Sequence, residues 1–231
     1  MRSVRTWILG YSLILSVTLL AAHWGSRAVT VMAENTPPKR SHTIIIDAGH
    51  GGVDGGAVSC TGMAESQLNL QISLRLEDLL RFLGHDTRMI RREDISVYTK
   101  GETIAARKAS DLKERVRICN ERENALLLSI HQNNFPESRY SGAQVFYNPG
   151  AEDLAKQLQS AFVATLNPGS HRQAKKSSGV YLMEHISCPG VLIECGFLSN
   201  PAEEYNLRSD GYQKQIAAVI GCTVSGYLSN T

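Results

Sequence analysis

Residues Ala125 to Ile130 form a nearly continuous apolar run, broken only by Ser129. A strand that is apolar on both faces has to be covered on both, as a central strand is in a sheet packed between helices. The flanking sequence supplies the other pieces. Thr43 to Ile46 is a short β-branched run stopped by Asp47, and Gly49, Gly51, Gly52, Gly55 and Gly56 follow closely, so a strand runs into a glycine-rich loop. From Ala64 to Leu83 the residues Leu68, Ile72, Leu76, Leu79, Leu80 and Leu83 recur at helical spacing, and Gly84 marks the stop. The same stretch also alternates like a strand at Leu68, Leu70, Ile72, Leu74 and Leu76, but it is too long without a turn signal for an ordinary strand. Further strands are expected at Asp86 to Ile90, Ala143 to Tyr147, Val180 to Met183 and Val191 to Ile193. Helices are expected at Ala105 to Glu123, Ala151 to Leu166 and about Gly211 to Leu228, with Asn200-Pro201 and Glu203 as one more helix start. This alternation predicts an α/β fold, a single-domain sandwich with a central, mostly parallel sheet flanked by helices.

The first 33 residues hold Arg2, Arg5 and Arg27 and no acid, with an apolar stretch from Trp7 to Ala22. They read as an export signal or an uncleaved membrane anchor, which puts the body outside the cytoplasm. Residues 34–42, with Pro37, Pro38, Lys39 and Arg40, are a polar linker, and residues 43–231 are the folded domain. Without the leader, 24 basic residues become 21 against 22 acidic ones. A near-neutral body lacks the positive field of a general nucleic-acid binder. Cys60, Cys119, Cys188, Cys195 and Cys222 are odd in number and contain no C-x-x-C pair, so they read as small buried hydrophobes rather than a disulfide framework.

Four positions stand out chemically. His50 follows the first strand in Asp47-Ala48-Gly49-His50-Gly51-Gly52, and His131 ends the central apolar run in Ser129-Ile130-His131-Gln132-Asn133. Ends of strands are where α/β folds place their sites. Glu65 stands at the start of the long helix, across one flexible loop from His50. Two histidines and a carboxylate are the donor set of a catalytic zinc with a fourth position open. Glu194, at the end of a buried strand in Val191-Leu192-Ile193-Glu194-Cys195-Gly196, is the natural base beside such an ion. Competing readings remain at this point: an incidental turn histidine for His50, a first-turn acid for Glu65 and a structural ion pair for Glu194. There is no G-K-[ST] and no G-x-G-x-x-G opening a helix, which excludes a phosphate cradle. Cys195 alternates to the face opposite Glu194 and makes a poor nucleophile. The basic stretches at Arg88, Arg91 and Arg92, and at Arg172, Lys175 and Lys176, read as solvated faces, the second able to touch an anionic glycan.

Asp47 to Gly52, Glu65, Ser129 to Asn133 and Ile193 to Asn200, in this order, resemble the motifs of the zinc-dependent N-acetylmuramoyl-L-alanine amidases, family 3, over roughly Thr43 to Leu228. The stretches Lys108 to Leu112 with Arg115-Val116, Ser141 to Gln144 and Gly179 to Met183 are most similar to the germination-specific cortex amidases within it. The resemblance implies one Zn2+ held by His50, Glu65 and His131, with Glu194 as catalytic acid and base. The substrate it implies is peptidoglycan, cut between N-acetylmuramic acid and the L-alanine of the stem peptide. It further implies work at the spore cortex, toward muramic-δ-lactam, with a muramic acid deacetylase acting next. Asp47 and Asn133 are expected to orient the ligands from behind. Ala48 stands where many relatives have proline, a change in loop stiffness rather than in a ligand. The rivals are a zinc peptidase of the stem peptide and a non-catalytic wall-binding protein. Some family members plug their site with a long helical insertion. Gly150 to Gly179 leaves no room for one, so an open groove and control from outside the chain, by expression or by an exported accessory protein, are expected.

Overall fold

The computed structural model describes residues 42–230; the leader and all of the linker but His42 lie outside the described residues. In chain order the elements are β1 (Thr43–Ala48), α1 (Glu65–Phe82), β2 (Asp86–Met89), α2 (Ile104–Asn120), β3 (Ala125–Asn133), β4 (Gln144–Tyr147), α3 (Glu152–Thr165), β5 (Lys175–Lys176), α4 (Tyr181–His185), β6 (Gly190–Phe197), α5 (Pro201–Leu207) and α6 (Asp210–Asn230). The strands form one six-stranded sheet in the order β2-β1-β3-β6-β4-β5. Pairing is parallel throughout except between β4 and β6. The sheet is thus mixed and mostly parallel, as the sequence predicts.

The period-2 alternation of the central strands decides what lies on each face. Ile44, Ile46, Leu126, Leu128, Ile130, Val191 and Ile193 pack on one face against α1, α3 and α6, through side chains such as Leu68, Leu76, Leu158 and Ile220. Ile45, Leu127 and Leu192 pack on the other against Ile118 and Cys119 of α2 and Leu182 and Met183 of α4. Ile44, Ile45, Ile46, Leu127, Leu128 and Ile130 are wholly buried, which is why the run at 125–130 shows no polar alternation. The helix start at Asn200 forms as expected: its side-chain oxygen accepts from the N–H of Ala202 at 3.0 Å and of Glu203 at 3.2 Å, with Pro201 at the first helical position.

Two details differ from expectation. Val180 to Met183 is not a strand, because Tyr181–His185 is a single helical turn. Both edges of β6 are already taken by β3 and β4, which leaves no partner for this run, and Leu182 and Met183 reach the core equally well from a helix. The Gly179 N–H donates to Glu184 Oε1 at 2.6 Å, and the Tyr181 and His185 rings stack with centroids 3.9 Å apart, which closes the turn. The two-residue strand β5 has no periodic signal to find. Between α3 and β6 the chain carries only β5 and α4, so no helical insertion stands over the strand ends. Cys119, Cys188 and Cys195 are buried as expected, whereas Cys60 and Cys222 are exposed.

Candidate metal centre and active site

The site lies at the C-terminal ends of β1, β3 and β6, where the apolar strands run out. β1 ends at Ala48, and two residues later His50 takes φ +61, the one non-glycine residue with positive φ among the described residues. Such a conformation is strained for a side chain and persists only where its surroundings impose it. Here two buried arginines do so. Arg115 donates to the carbonyl of His50 at 2.6 Å and of Ala48 at 3.1 Å. Arg91 donates to the carbonyls of Ala48 (2.8 Å), Gly49 (3.0 Å) and Ser66 (2.8 Å). Arg91 is therefore not part of a solvated face: it is 2% exposed and satisfied by backbone carbonyls at the end of β1, in the loop and in the first turn of α1.

Glu65, the first residue of α1, is buried between the histidines. His50 Nε2 is 3.3 Å from Glu65 Oε2, and His131 Nδ1 is 3.1 Å from Glu65 Oε1. One ligand atom from each of His50, Glu65 and His131 falls within 4.8 Å of the others. The N–H groups of Ala57 (3.0 Å) and Gln132 (3.1 Å) and the Asn69 amide (3.1 Å) also donate to the Glu65 carboxylate. Burial alone would raise its pKa, but hydrogen bonds and charge from His131 and His50 hold it well below the usual carboxylate range. On the far side of His50, Nδ1 is 3.0 Å from Asp54 Oδ2, and Asp54 Oδ1 is 2.7 Å from Lys108 Nζ. Burial works against a charged His50, yet the Glu65 and Asp54 carboxylates outweigh it and push its pKa up to about 9. Glycine is required close by: a Cβ on Gly49 would lie 2.2 Å from the His131 ring, and one on Gly56 would lie 2.5 Å from Glu65 Oε2.

Glu194 is the register partner of His131 on the adjacent parallel strand, so both side chains leave the sheet on the same face. It is half-buried, and its Oε2 is shielded from solvent without a hydrogen-bond partner. Burial pushes its pKa up to about 7; the Glu65 charge adds to this and the two histidines oppose it. A carboxylate held near neutrality, unpaired, next to a ligand cluster can accept and return a proton. Cys195 points into the core on the opposite face, where burial raises its thiol well above the ordinary value, so it offers no thiolate. A cleft of about 200 Å³ lined by His50, His131, Asp54, Lys108, Leu182 and Leu192 opens beside the cluster.

The two residues expected to orient the ligands fare differently. Asp47 is buried and bonded to Arg115 and, at 2.6 Å, to the Ser129 hydroxyl; despite the cost of burial, the Arg115 guanidinium holds its carboxyl below the usual range. It reaches His50 only through Arg115. The Asn133 side chain makes no hydrogen bond to the cluster among the described residues, and its backbone carbonyl accepts from the Leu198 N–H at 2.8 Å. The neighbouring Gln132 touches Glu65 through its N–H and, through its side chain, donates to Asn69 at 3.2 Å.

Comparison with known proteins identifies the family. The family model described as N-acetylmuramoyl-L-alanine amidase, Amidase_3, matches residues 44–224. The chain belongs to this family. As an amidase it is 38% identical over 187 residues to the germination-specific N-acetylmuramoyl-L-alanine amidase of Bacillus subtilis (strain 168), covering 79% of this chain and 78% of that one. It is 26% identical to the Escherichia coli (strain K12) amidase AmiA, over 80% of this chain and 75% of the relative. Among solved structures it resembles the CwlD amidase from Clostridioides difficile in complex with the GerS lipoprotein, with a TM-score of 0.79 and 35% identity over 83% of this chain and all of that one. The amidase hydrolyses peptidoglycan at the bond for which the family is named. Its Asp54, Asn69 and Gln132, which contact His50 or Glu65, escaped the sequence reading, although an acid four residues beyond a candidate histidine, inside the same glycine loop, was a signal for the first.

Proposed function

We propose that this amidase is a zinc enzyme of spore cortex peptidoglycan, with His50, Glu65 and His131 holding one Zn2+ and Glu194 moving the proton. The observation that carries this reading is the convergence of two imidazoles and one buried carboxylate within 4.8 Å, beside a second carboxylate whose Oε2 has no partner. Two histidines and a glutamate fit zinc with a position left for the reaction, and the hydrogen bond from His50 to Asp54 fixes its ring as second partners of zinc ligands do. Zinc bound there supplies acidification of water and polarisation of the lactyl carbonyl. Glu194 accepts the proton of the attacking water as the new C–O bond forms. It then gives that proton to the alanine nitrogen as the C–N bond breaks, leaving the lactyl group as a carboxylic acid and the stem peptide as an amine, which ionise to carboxylate and ammonium at neutral pH.

The germination-specific name of the Bacillus relative supports placing the substrate in spore cortex. There the peptide-free muramic acid is what a deacetylase needs on the way to muramic-δ-lactam. The lipoprotein bound to the CwlD amidase supports an exported accessory protein as partner here, and the leader and the wall substrate support action outside the cytoplasm. Digestion of purified peptidoglycan by the zinc-loaded full chain, followed by mass spectrometry, tests the reading. Intact stem peptides beginning at L-alanine are expected. Truncated stems would make the protein a peptidase, and binding without products would make it a wall-binding protein.

A further inference from the structure

The order of the sheet sets the groups of the site in a row. β1 delivers His50, β3 delivers His131, β6 delivers Glu194, and β4 pairs its Gln144 with Glu194. Glu194 therefore stands on the β4 side of the two histidines, displaced by about one strand spacing of ~5 Å. A general acid has to face the nitrogen it protonates, so on the amidase reading the departing amine belongs on this side, toward β4 and β5. That region holds an open groove of about 790 Å³ lined by Arg139, Tyr140, Gln144, His171, Arg172 and Lys175 among others, with no carboxylate in its lining.

Arg172 is fixed there rather than waving in solvent. Its Nε donates to the Ser141 carbonyl at 2.9 Å and its Nη1 to Gln144 Oε1 at 3.3 Å. Its guanidinium lies over the Phe197 ring, 4.9 Å from the centroid. Nη2 donates to no group among the described residues, so one face of the fork is unspent. Glu203, the acid whose charge reaches Arg172, already accepts from the N–H groups of Gly142 at 2.7 Å and Phe197 at 2.8 Å. Arg139 stacks over Tyr140, 5.3 Å from its centroid, on the same wall. The cleft beside the histidines carries charge of both signs, but its cations are already spent, Lys108 on Asp54 and Arg115 on Asp47 and Asp111.

We propose that the groove beyond Glu194 seats the departing stem peptide and that Arg172, assisted by Arg139, receives one of its carboxylates, making both residues determinants of substrate choice. This rests on the amidase reading above. The sign of charge agrees with it: the stem peptide is acidic, whereas the N-acetylmuramoyl group on the histidine side is uncharged until the cut frees its lactyl carboxyl.

The test compares one peptidoglycan preparation in two forms, with its peptide carboxylates free and after conversion to amides with carbodiimide and ammonia. The zinc-loaded wild type should cut the free-acid form with a kcat/KM about tenfold higher, carried mostly by KM, as a charge-assisted hydrogen bond suggests. Arg172→Gln should erase most of this preference by losing rate on the free acid alone, Arg172→Lys should restore part of it, and Arg139→Gln should reduce it partially. Arg139 hangs from the surface, so its variant serves should Arg172→Gln fail to fold. Equal cutting of both forms by the wild type, or variants that lose rate equally on both, would overturn the groove assignment. No release of stem peptide from either form by the wild type would instead overturn the amidase reading beneath it.

Discussion

Each ligand of the proposed metal site is pinned by a residue that sequence spacing ranks low. His50 is the clearest case: Arg115 and Arg91 hold its backbone neighbourhood, and Asp54 holds its ring. If Asp54 sets the ring tautomer, Asp54→Ala should keep the fold and weaken zinc about 10- to 100-fold, read by competition with a chromogenic chelator. Unchanged affinity would reduce Asp54 to a partner of Lys108. At Glu194 the expected effect is on rate and not on metal: Glu194→Gln should lower turnover by roughly 10²-fold or more while metal analysis still finds one ion per chain. The base works only as a carboxylate, and burial holds its pKa up at about 7 before any cation draws it down. With the cation in place the limb lies below that value, so wild-type kcat/KM should fall as pH is lowered through the acid range, and the residual activity of the variant should lack that limb. The strand ends and the helix start that carry His50, Glu65, His131 and Glu194 were legible in hydrophobic patterning, whereas a shared role for the four came from the resemblance to the amidase family. The burial of Arg91 was not legible, because its partners are carbonyls from residues 48, 49 and 66, and nothing in a chain of letters marks which backbone carbonyls are left without an N–H partner.

At the scale of elements, legibility followed length. β1, β3, α1, α3 and α6 each carry enough residues to declare a period, and the structure places them within a few residues of expectation. The five-residue α4 and the two-residue β5 do not, so Val180 to Met183 was misread and Lys175–Lys176 passed unseen. Their conformation is decided by what β6 and β4 leave unpaired, a tertiary fact. The Asn200 cap is local chemistry and was read correctly, whereas the Thr103 cap of α2 was passed over. Removing the cap of α5 with Asn200→Ala should cost about 1 kcal/mol, measured by urea unfolding, with zinc affinity unchanged. A shift in zinc affinity would mean that α5 transmits to the end of β6 more than its own stability.

For the whole molecule, the two core layers lie on either face of the sheet while His50, Glu65 and His131 cluster at its rim, so the fold is expected to form without the proposed metal. Chelation should abolish turnover yet leave far-ultraviolet circular dichroism at 25 °C unchanged. With free zinc at about 100 times its dissociation constant, the metal adds roughly 2.7 kcal/mol, so its removal should lower Tm by about 5–10 °C. Collapse of the fold on chelation would show that the cluster is a structural clasp. The overall architecture was legible because the doubly apolar run at 125–130 admits few covers, whereas the single antiparallel pairing of β4 with β6 was not, since nothing in four residues, Gln144–Tyr147, records a direction. The sheet also ends abruptly. One margin is β2, four residues long, and the other is β5, two residues and both lysine. A second copy sliding in beside β5 would meet like charge and run out of backbone partners after a single pair, so the sheet offers no template for strand-by-strand growth. An enzyme concentrated on an insoluble polymer is thereby protected from turning into a fibre of itself.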